Sequence, residues 1–109
     1  MSLKELQDLL GAFPGAKLEY PFGEQPAVYK VNDKMFALVA ENKDPINISL
    51  KCDPELSKLL REKYESVMQG YHLNKRHWIT IVMSGQLDDE EIQDLVSHSY
   101  QLVKGVSDE

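Results

Sequence analysis

Residues 46–51 constrain the fold more than any other stretch of this chain, because apolar and polar side chains alternate along them. Ile46, Ile48 and Leu50 alternate with Asn47, Ser49 and Lys51. Successive side chains of a strand point to opposite faces of a sheet, so this segment predicts a strand with one buried face and one wet face. We therefore expect a sheet that is covered on one side only.

Other short β-type runs accompany this strand. They cover residues 17–20, 27–31, 35–41 and 78–83. Asn32 and Asp33 separate two of the runs, and both residue types tolerate the positive φ angles of a tight hairpin turn. In the last run, if Ile79 and Ile81 face the helices, then Trp78 and Thr80 face the other side, and a register shift of one residue would invert this assignment.

Three amphipathic helices are predicted from their caps and their apolar stripes. Ser2 and Glu5 form a capping box, Asp53 caps a second helix, and Asp88 or Asp89 caps a third. The expected inward stripes comprise Leu3, Leu6, Leu9, Leu10 and Phe13 on the first helix, Leu56, Leu59, Leu60 and Tyr64 on the second, and Ile92, Leu95, Val96, Ser99, Leu102 and Val103 on the third.

The predicted order of elements is α-β-β-β-β-α-β-α. Runs of strands, in place of strict βαβ alternation, indicate an antiparallel sheet with helices on one face, which is an α+β two-layer sandwich. A chain of 109 residues has the size of one domain, spanning residues 1–109. No apolar leader or membrane span is present in the sequence, so the cytoplasm is the expected compartment and no membrane contact is expected.

The charge of the chain is unevenly distributed. The net charge of −6 argues against nucleic-acid binding, but residues 1–84 contain eleven basic and eleven acidic residues. Residues 85–109 contain seven acids against Lys104 alone, so the whole excess lies in the C-terminal segment. A polarised surface is expected, with an acidic third helix and a basic region elsewhere.

That basic region is the acid-free window of residues 66–87. It contains a dense group of polar and aromatic side chains: His72, Asn74, Lys75, Arg76, His77 and Trp78. Two cations beside an amide and imidazoles can contact phosphate oxygens, and Trp78 or Tyr71 can stack on a base or sugar. In the alternative interpretation the cations are ordinary solvated turn residues and Trp78 belongs to the core.

Metal binding and catalysis have little support in the sequence. His72 and His77 lack the further converging ligands that a zinc site needs, and the adjacent cations repel a metal. Cys52 is the only cysteine, which excludes an intramolecular disulfide and favours a buried small residue over a nucleophile. No nucleophile elbow or phosphate loop is present. We expect no metal, no cofactor and no enzymatic activity.

Several separated motifs resemble the bacterial MmcQ/YjbR family. The matching segments are Tyr20-Pro21-Phe22-Gly23, Val28-Tyr29-Lys30-Val31, Lys34-Met35-Phe36-Ala37, Leu50-Lys51-Cys52-Asp53-Pro54-Glu55, Gly70-Tyr71-His72-Leu73-Asn74-Lys75-Arg76-His77-Trp78 and Ser99-Tyr100. The resemblance implies an α+β domain related in fold to secretion chaperones and CyaY-like proteins. It also implies a DNA-binding protein with a double-wing motif, in which β-hairpins flank the nucleic acid.

The expected function is therefore DNA binding without catalysis, by a monomer. Lys51, Lys75 and Arg76 would contact phosphates, His72 and His77 would add pH-sensitive contacts, and Asn74 would add a neutral hydrogen bond. Two alternatives stay open: a protein-interaction module that uses the exposed sheet face or the acidic helix, and a binder of small anionic ligands.

Overall fold

Three helices and six strands make up residues 1–70 and 72–105, the part of the chain that the computed structural model describes. The helices are α1 (Leu3–Gly11), α2 (Pro54–Lys63) and α3 (Asp89–Lys104). The strands are β1 (Lys17–Glu19), β2 (Ala27–Val31), β3 (Lys34–Ala40), β4 (Asn47–Lys51), β5 (Val67–Gln69) and β6 (Trp78–Val82). The predicted α+β class is confirmed. No helix in this part of the chain is long and apolar enough to cross a bilayer.

The six strands form one antiparallel sheet in the order β1-β2-β3-β4-β6-β5. The prediction omitted β5, which pairs with β6 from Val67↔Ile81 to Gln69↔Ile79. Only one of its three residues is buried. A strand of three residues is too short to show an alternation of apolar and polar side chains. Its backbone pairing with β6 defines it instead.

All three helices pack on the same face of the sheet, as predicted. Ile48 and Leu50 of β4 and Ile79 and Ile81 of β6 are fully buried beneath them. The helices contribute further buried side chains to this core: Leu6, Leu10, Ile92, Leu95, Val96, Tyr100 and Val103. The alternation in residues 46–51 therefore identified the correct buried face.

Local capping sets where the helices begin. Ser2 and Glu5 exchange both hydrogen bonds of a capping box, and Asp53 accepts from the backbone N–H groups of Glu55 and Leu56. Asp88, the first of the two proposed residues, caps α3. These bonds satisfy N–H groups that the first helical turn leaves unpaired.

For two leucines of the predicted inward stripes, the prediction of burial is wrong. Leu59 of α2 is 63% exposed and Leu102 of α3 is 45% exposed. A stripe defined by helical spacing alone can be wider than the surface that a neighbouring element covers. Both side chains therefore lie beyond the helix surface that the core buries.

The outer face of the sheet, opposite the helices, carries a small second core. Val28, Leu38 and Trp78 are buried there, and Met35 and Leu73 pack against them. Ser49 and Thr80, a cross-strand pair on this face, share a hydrogen bond of 2.8 Å between their hydroxyl oxygens. The prediction that only one side of the sheet is covered is thus wrong in this region, because a loop residue folds over the face.

Candidate nucleic-acid interface

The segment that joins β5 to β6 carries most of the predicted site, and we call its residues 72–77 the basic loop. Asn74 shapes this loop, because its Oδ1 accepts from the backbone N–H groups of Arg76 at 2.9 Å and His77 at 3.1 Å. The His77 carbonyl accepts from Cys52 N at 2.8 Å, which ties the loop to the end of β4. Asn74 Oδ1 is therefore occupied by the turn, so this side chain has a structural role that the sequence prediction did not include.

Gly70 brings the start of this segment close to β6. A Cβ added at Gly70 would lie 2.6 Å from Trp78 Cβ and 3.1 Å from Leu73 Cβ, while Gly70 N donates to Trp78 O at 3.0 Å. Real Cβ atoms do not approach this closely. Gly70 is consequently required by the close approach of two backbone segments.

The two cations of the basic loop are exposed. Lys75 and Arg76 both lie at the surface, and neither forms an ion pair with an acid among residues 1–70 and 72–105. Their neighbours Asn74, His77 and His72 are exposed as well. The basic loop therefore presents positive charge to solvent, as the acid-free window predicted.

Lys51 belongs to the same surface through its position opposite Trp78. The two residues are direct cross-strand partners, and Lys51 Nζ lies 5.8 Å from the centroid of the Trp78 ring. An ammonium group over an indole face is attracted by the negative potential of the ring. The half-buried Lys51 is thus held on the outer face, beside the start of the basic loop.

Trp78 itself is not an exposed stacking platform. Its side chain lies on the predicted face but is only 6% exposed, because Leu73 of the basic loop packs against it. Of the two open interpretations, the structure supports the one that places Trp78 in a core. Tyr71, the other proposed stacking residue, lies outside the described residues.

A second hairpin lies at the same end of the sheet. Asn32 and Asp33 form its turn between β2 and β3, with the positive φ angles of 52° and 64° that the sequence predicted. The pairings Ala37↔Leu50 and Leu50↔Ile79 place the beginning of β3 beside the end of β4 and the beginning of β6. The β2–β3 turn and the basic loop are consequently neighbours at one end of the domain.

Lys34 follows this turn directly, is exposed, and was not among the predicted site residues. Three strand spacings separate the middle of the β2–β3 hairpin from that of the β5–β6 hairpin, which is about 14 Å at ~4.8 Å per spacing. A basic residue immediately after an Asn-Asp turn was the available sequence signal for Lys34.

The acids of α3 are concentrated at the opposite end. Asp88 to Glu91 form its N-terminus, where Asp89 binds the Met1 amino group at 3.1 Å. Lys104, the last residue of α3, lies beside the β2–β3 turn, since its carbonyl accepts from Asn32 Nδ2 at 3.5 Å. A helix of 16 residues is about 24 Å long, more than two Debye lengths at physiological salt. Asp108 and Glu109 lie outside the described residues.

Cys52 lies directly behind this surface. Burial, together with the nearby Asp53 carboxylate, raises the pKa of its thiol to about 11, and its side chain is buried. A thiol that stays protonated at neutral pH is a poor nucleophile. No three His, Cys, Asp or Glu side chains in the described ranges are grouped so as to hold a metal ion.

These features define a class: a small α+β domain with two hairpins at one end of its sheet and exposed basic residues on them. The family model YjbR matches residues 11–102. The chain belongs to the YjbR family.

Curated relatives agree with this assignment. An uncharacterised protein YjbR of Escherichia coli is 40% identical over 101 residues, which cover 93% of this chain and 86% of the relative. An uncharacterised protein YbdF of Escherichia coli O157:H7 is 37% identical over 90 residues, covering 83% of this chain and 74% of the relative.

Solved structures share the fold. The crystal structure of Deinococcus radiodurans protein DR2400 has a TM-score of 0.91 at 34% identity, covering 95% of this chain and 79% of that one. A crystal structure of a Pseudomonas syringae protein has a TM-score of 0.81 at 32% identity, covering 94% of this chain and 99% of the other.

Proposed function

We propose that this protein binds the phosphate backbone of double-stranded DNA, with the basic loop and the β2–β3 hairpin on either side of the contact. Lys75 and Arg76 supply the principal phosphate contacts, Lys51 a third, and Lys34 contributes from the other hairpin. His72 and His77 add further contacts from the same loop.

The observation that carries the proposal is the exposure of Lys75 and Arg76 in a window without carboxylates. An ion pair with the protein's own acids would have to be broken before either cation met a phosphate, and none is formed with a described residue. The separation of about 14 Å between the hairpins compares with a major-groove width of about 12 Å.

The negative net charge does not oppose this arrangement strongly. The acidic N-terminus of α3 lies one helix length, about 24 Å, from Lys104, which is beside the β2–β3 turn, and mobile ions screen charges over about 8 Å at physiological salt. Local positive potential, rather than the net charge, then governs the approach of a polyanion.

Trp78 has a different part in this proposal from the one its sequence position suggested. It anchors Leu73 and Lys51 from beneath and so fixes the basic loop, while the side chains above it contact phosphate. Base stacking is not invoked, and the proposed contact is with the backbone and independent of DNA sequence.

The test is a fluorescence-anisotropy titration of a labelled 20-base-pair duplex at several salt concentrations. Phosphate contacts by these four cations predict a slope of about −3.6 for log K against log salt concentration, and each cation removed reduces its magnitude by about one. The variants are Lys75→Ala and Arg76→Ala. Lys43→Ala removes an equal charge beyond the opposite end of β3 and should leave both affinity and slope unchanged.

Equal losses in Lys43→Ala and Lys75→Ala would refute the proposed interface, since binding would then follow net charge alone. Absence of saturable binding at 50 mM salt would refute DNA binding itself. In that case the protein-interaction alternative gains support if charge reversal at Glu90, on the exposed acidic face of α3, abolishes capture of a partner.

We also propose that the domain has no catalytic activity and acts in the cytoplasm. The pKa values that depart furthest from their usual range move away from neutrality: burial raises the pKa of Tyr29 to about 12 and that of Cys52 to about 11. General acid–base catalysis favours groups tuned towards the working pH.

A further inference from the structure

A groove of about 580 Å³ lies at the cationic end of the sheet. The β1–β2 loop, the beginning of β3, the end of β4, the beginning of β6 and the last turn of α3 bound it. Clefts that hold one small organic ligand have volumes of about 300–1,000 Å³. The groove is therefore large enough for a small molecule.

Ser99 of α3 bridges two strands of the sheet at this point. The register places Phe36 opposite Lys51, where the ladder would join Lys51 N to Phe36 O. Instead, Lys51 N donates to Ser99 Oγ at 2.9 Å, and Ser99 Oγ donates to Phe36 O at 2.5 Å. A buried hydroxyl therefore bridges β3 and β4 beside the groove, in place of a direct bond between the strands.

The walls of the groove have two kinds of chemistry. Phe22, Met35 and Trp78 supply an apolar lining, and Phe22 remains 64% exposed. A ligand that packs on the Phe22 ring would bury a large apolar area that is now in water. The apolar lining fits a flat hydrophobic body.

The polar part of the lining is predominantly cationic. Lys34 and Lys51 have no ion-pair partner among the described residues, whereas Lys30 is bound to Glu19 at 3.0 Å. Asp33 is the acidic side chain of the lining. Two ammonium groups against one carboxylate leave a net positive charge beside the apolar surface.

We propose that this groove binds a small aromatic carboxylate, with its ring against Phe22 and Met35 and its acid between Lys34 and Lys51. Charge complementarity selects an anion, and the exposed ring of Phe22 selects a planar body. This inference goes beyond the proposed DNA contact and does not depend on it, although Lys34 and Lys51 are common to both.

Trp78 provides a direct reporter, because it is the only tryptophan of the chain. In a ¹H–¹⁵N correlation spectrum of the whole protein, its indole N–H gives one cross-peak. Titration with 2-naphthoate should shift that peak together with the backbone amides of Phe22 and Lys34, in a saturable manner. The uncharged 2-naphthalenemethanol should bind about tenfold more weakly, as expected for the loss of a charge-assisted contact.

Two surface variants test the assignment without threatening the fold. Phe22→Ala and Lys34→Ala should each weaken 2-naphthoate binding by roughly threefold or more, since one loses ring contact and the other an exposed charge. Leu59→Ala and Lys43→Ala are matched controls, because each removes an exposed side chain of comparable kind elsewhere. Both controls should bind as the wild type does.

Equal affinity for the charged and the uncharged naphthalene would overturn the proposal, as would a response of the variants no larger than that of the controls. A titration with no saturable shift of the indole peak would also overturn it. The DNA titration uses a different readout, so failure of one proposal is distinguishable from failure of the other.

Discussion

The substitution Gly70→Ala tests whether the basic loop is held by close backbone approach. The added Cβ would lie 2.6 Å from Trp78 Cβ, 3.1 Å from Leu73 Cβ and 3.3 Å from Trp78 O. None of these atoms is the end of a flexible side chain, so relief requires a shift of the backbone. That shift weakens the bond from Gly70 N to Trp78 O, now 3.0 Å long.

The expected loss of stability follows from three contributions. Overpacking a buried site costs about 1–3 kcal/mol, and a weakened backbone hydrogen bond costs about 1 kcal/mol. Replacing glycine by alanine also lowers the conformational entropy of the unfolded chain, which stabilises the folded state by roughly 0.4–1 kcal/mol. We expect Gly70→Ala to lower the free energy of unfolding by about 2–3 kcal/mol.

Urea unfolding followed by Trp78 fluorescence measures this change. With a slope of about 1.5 kcal/mol per molar urea, the midpoint should fall by roughly 1–2 M. Gly11→Ala is the matched control, because Gly11 ends α1 with nothing within 4 Å of its added Cβ. That variant should be neutral or gain up to about 1 kcal/mol.

A Gly70→Ala protein within 0.5 kcal/mol of the wild type by this unfolding measurement would refute the reasoning. The same conclusion would follow if Gly11→Ala were destabilised as much, because the loss would then reflect glycine replacement in general. A changed slope with an unchanged midpoint would point to the unfolded state.

Three further predictions concern single side chains. Asn74→Ala should cost about 1 kcal/mol and speed amide exchange at Arg76 and His77, whereas Asn74→Asp, which keeps the acceptor, should restore protection. Native Cys52 should react with iodoacetamide at pH 8 at least about 100-fold more slowly than in urea; comparable rates would contradict its burial. Burial alone would raise the pKa of Glu41, but hydrogen bonds from Gln25, Gln7 and Tyr20 outweigh burial and lower that pKa. The ionised Glu41 carboxylate therefore stabilises the folded protein at neutral pH. This stabilisation is lost as the pH falls below 4.5 through the folded-state pKa. The destabilisation by Glu41→Gln, about 1 kcal/mol at pH 7, should therefore shrink in acid, and a pH-independent difference in unfolding free energy would count against this.

Local sequence was sufficient wherever a contact spans only a few residues. Ser2 and Glu5 are three residues apart, so the capping box needs no tertiary context. The Asn32-Asp33 turn likewise follows from residues that tolerate positive φ. Alternation assigned Ile48 and Ile79 to the helix-covered face, because side-chain direction in a strand has a period of two.

The sequence predicted the charges of the candidate site but not the hydrogen bonds that hold its loop in place. The exposure of Lys75 and Arg76 followed from a window without acids. The use of Asn74 Oδ1 by the turn was not foreseen, since the same amide is equally suited to contact a ligand. The exposure of Leu59 was also missed, because helical spacing does not show how much of a helix the neighbouring elements cover.

By itself, the sequence determined the class of the fold, the starts of its helices and the sign of charge in the basic loop. Only the tertiary structure decided that Trp78 is buried on the outer face, that the two hairpins lie at one end, and that Ser99 bridges β3 and β4. Those outcomes depend on contacts between segments far apart in the chain. Residue type and local spacing set conformation over a few residues, whereas burial depends on which distant segment packs alongside.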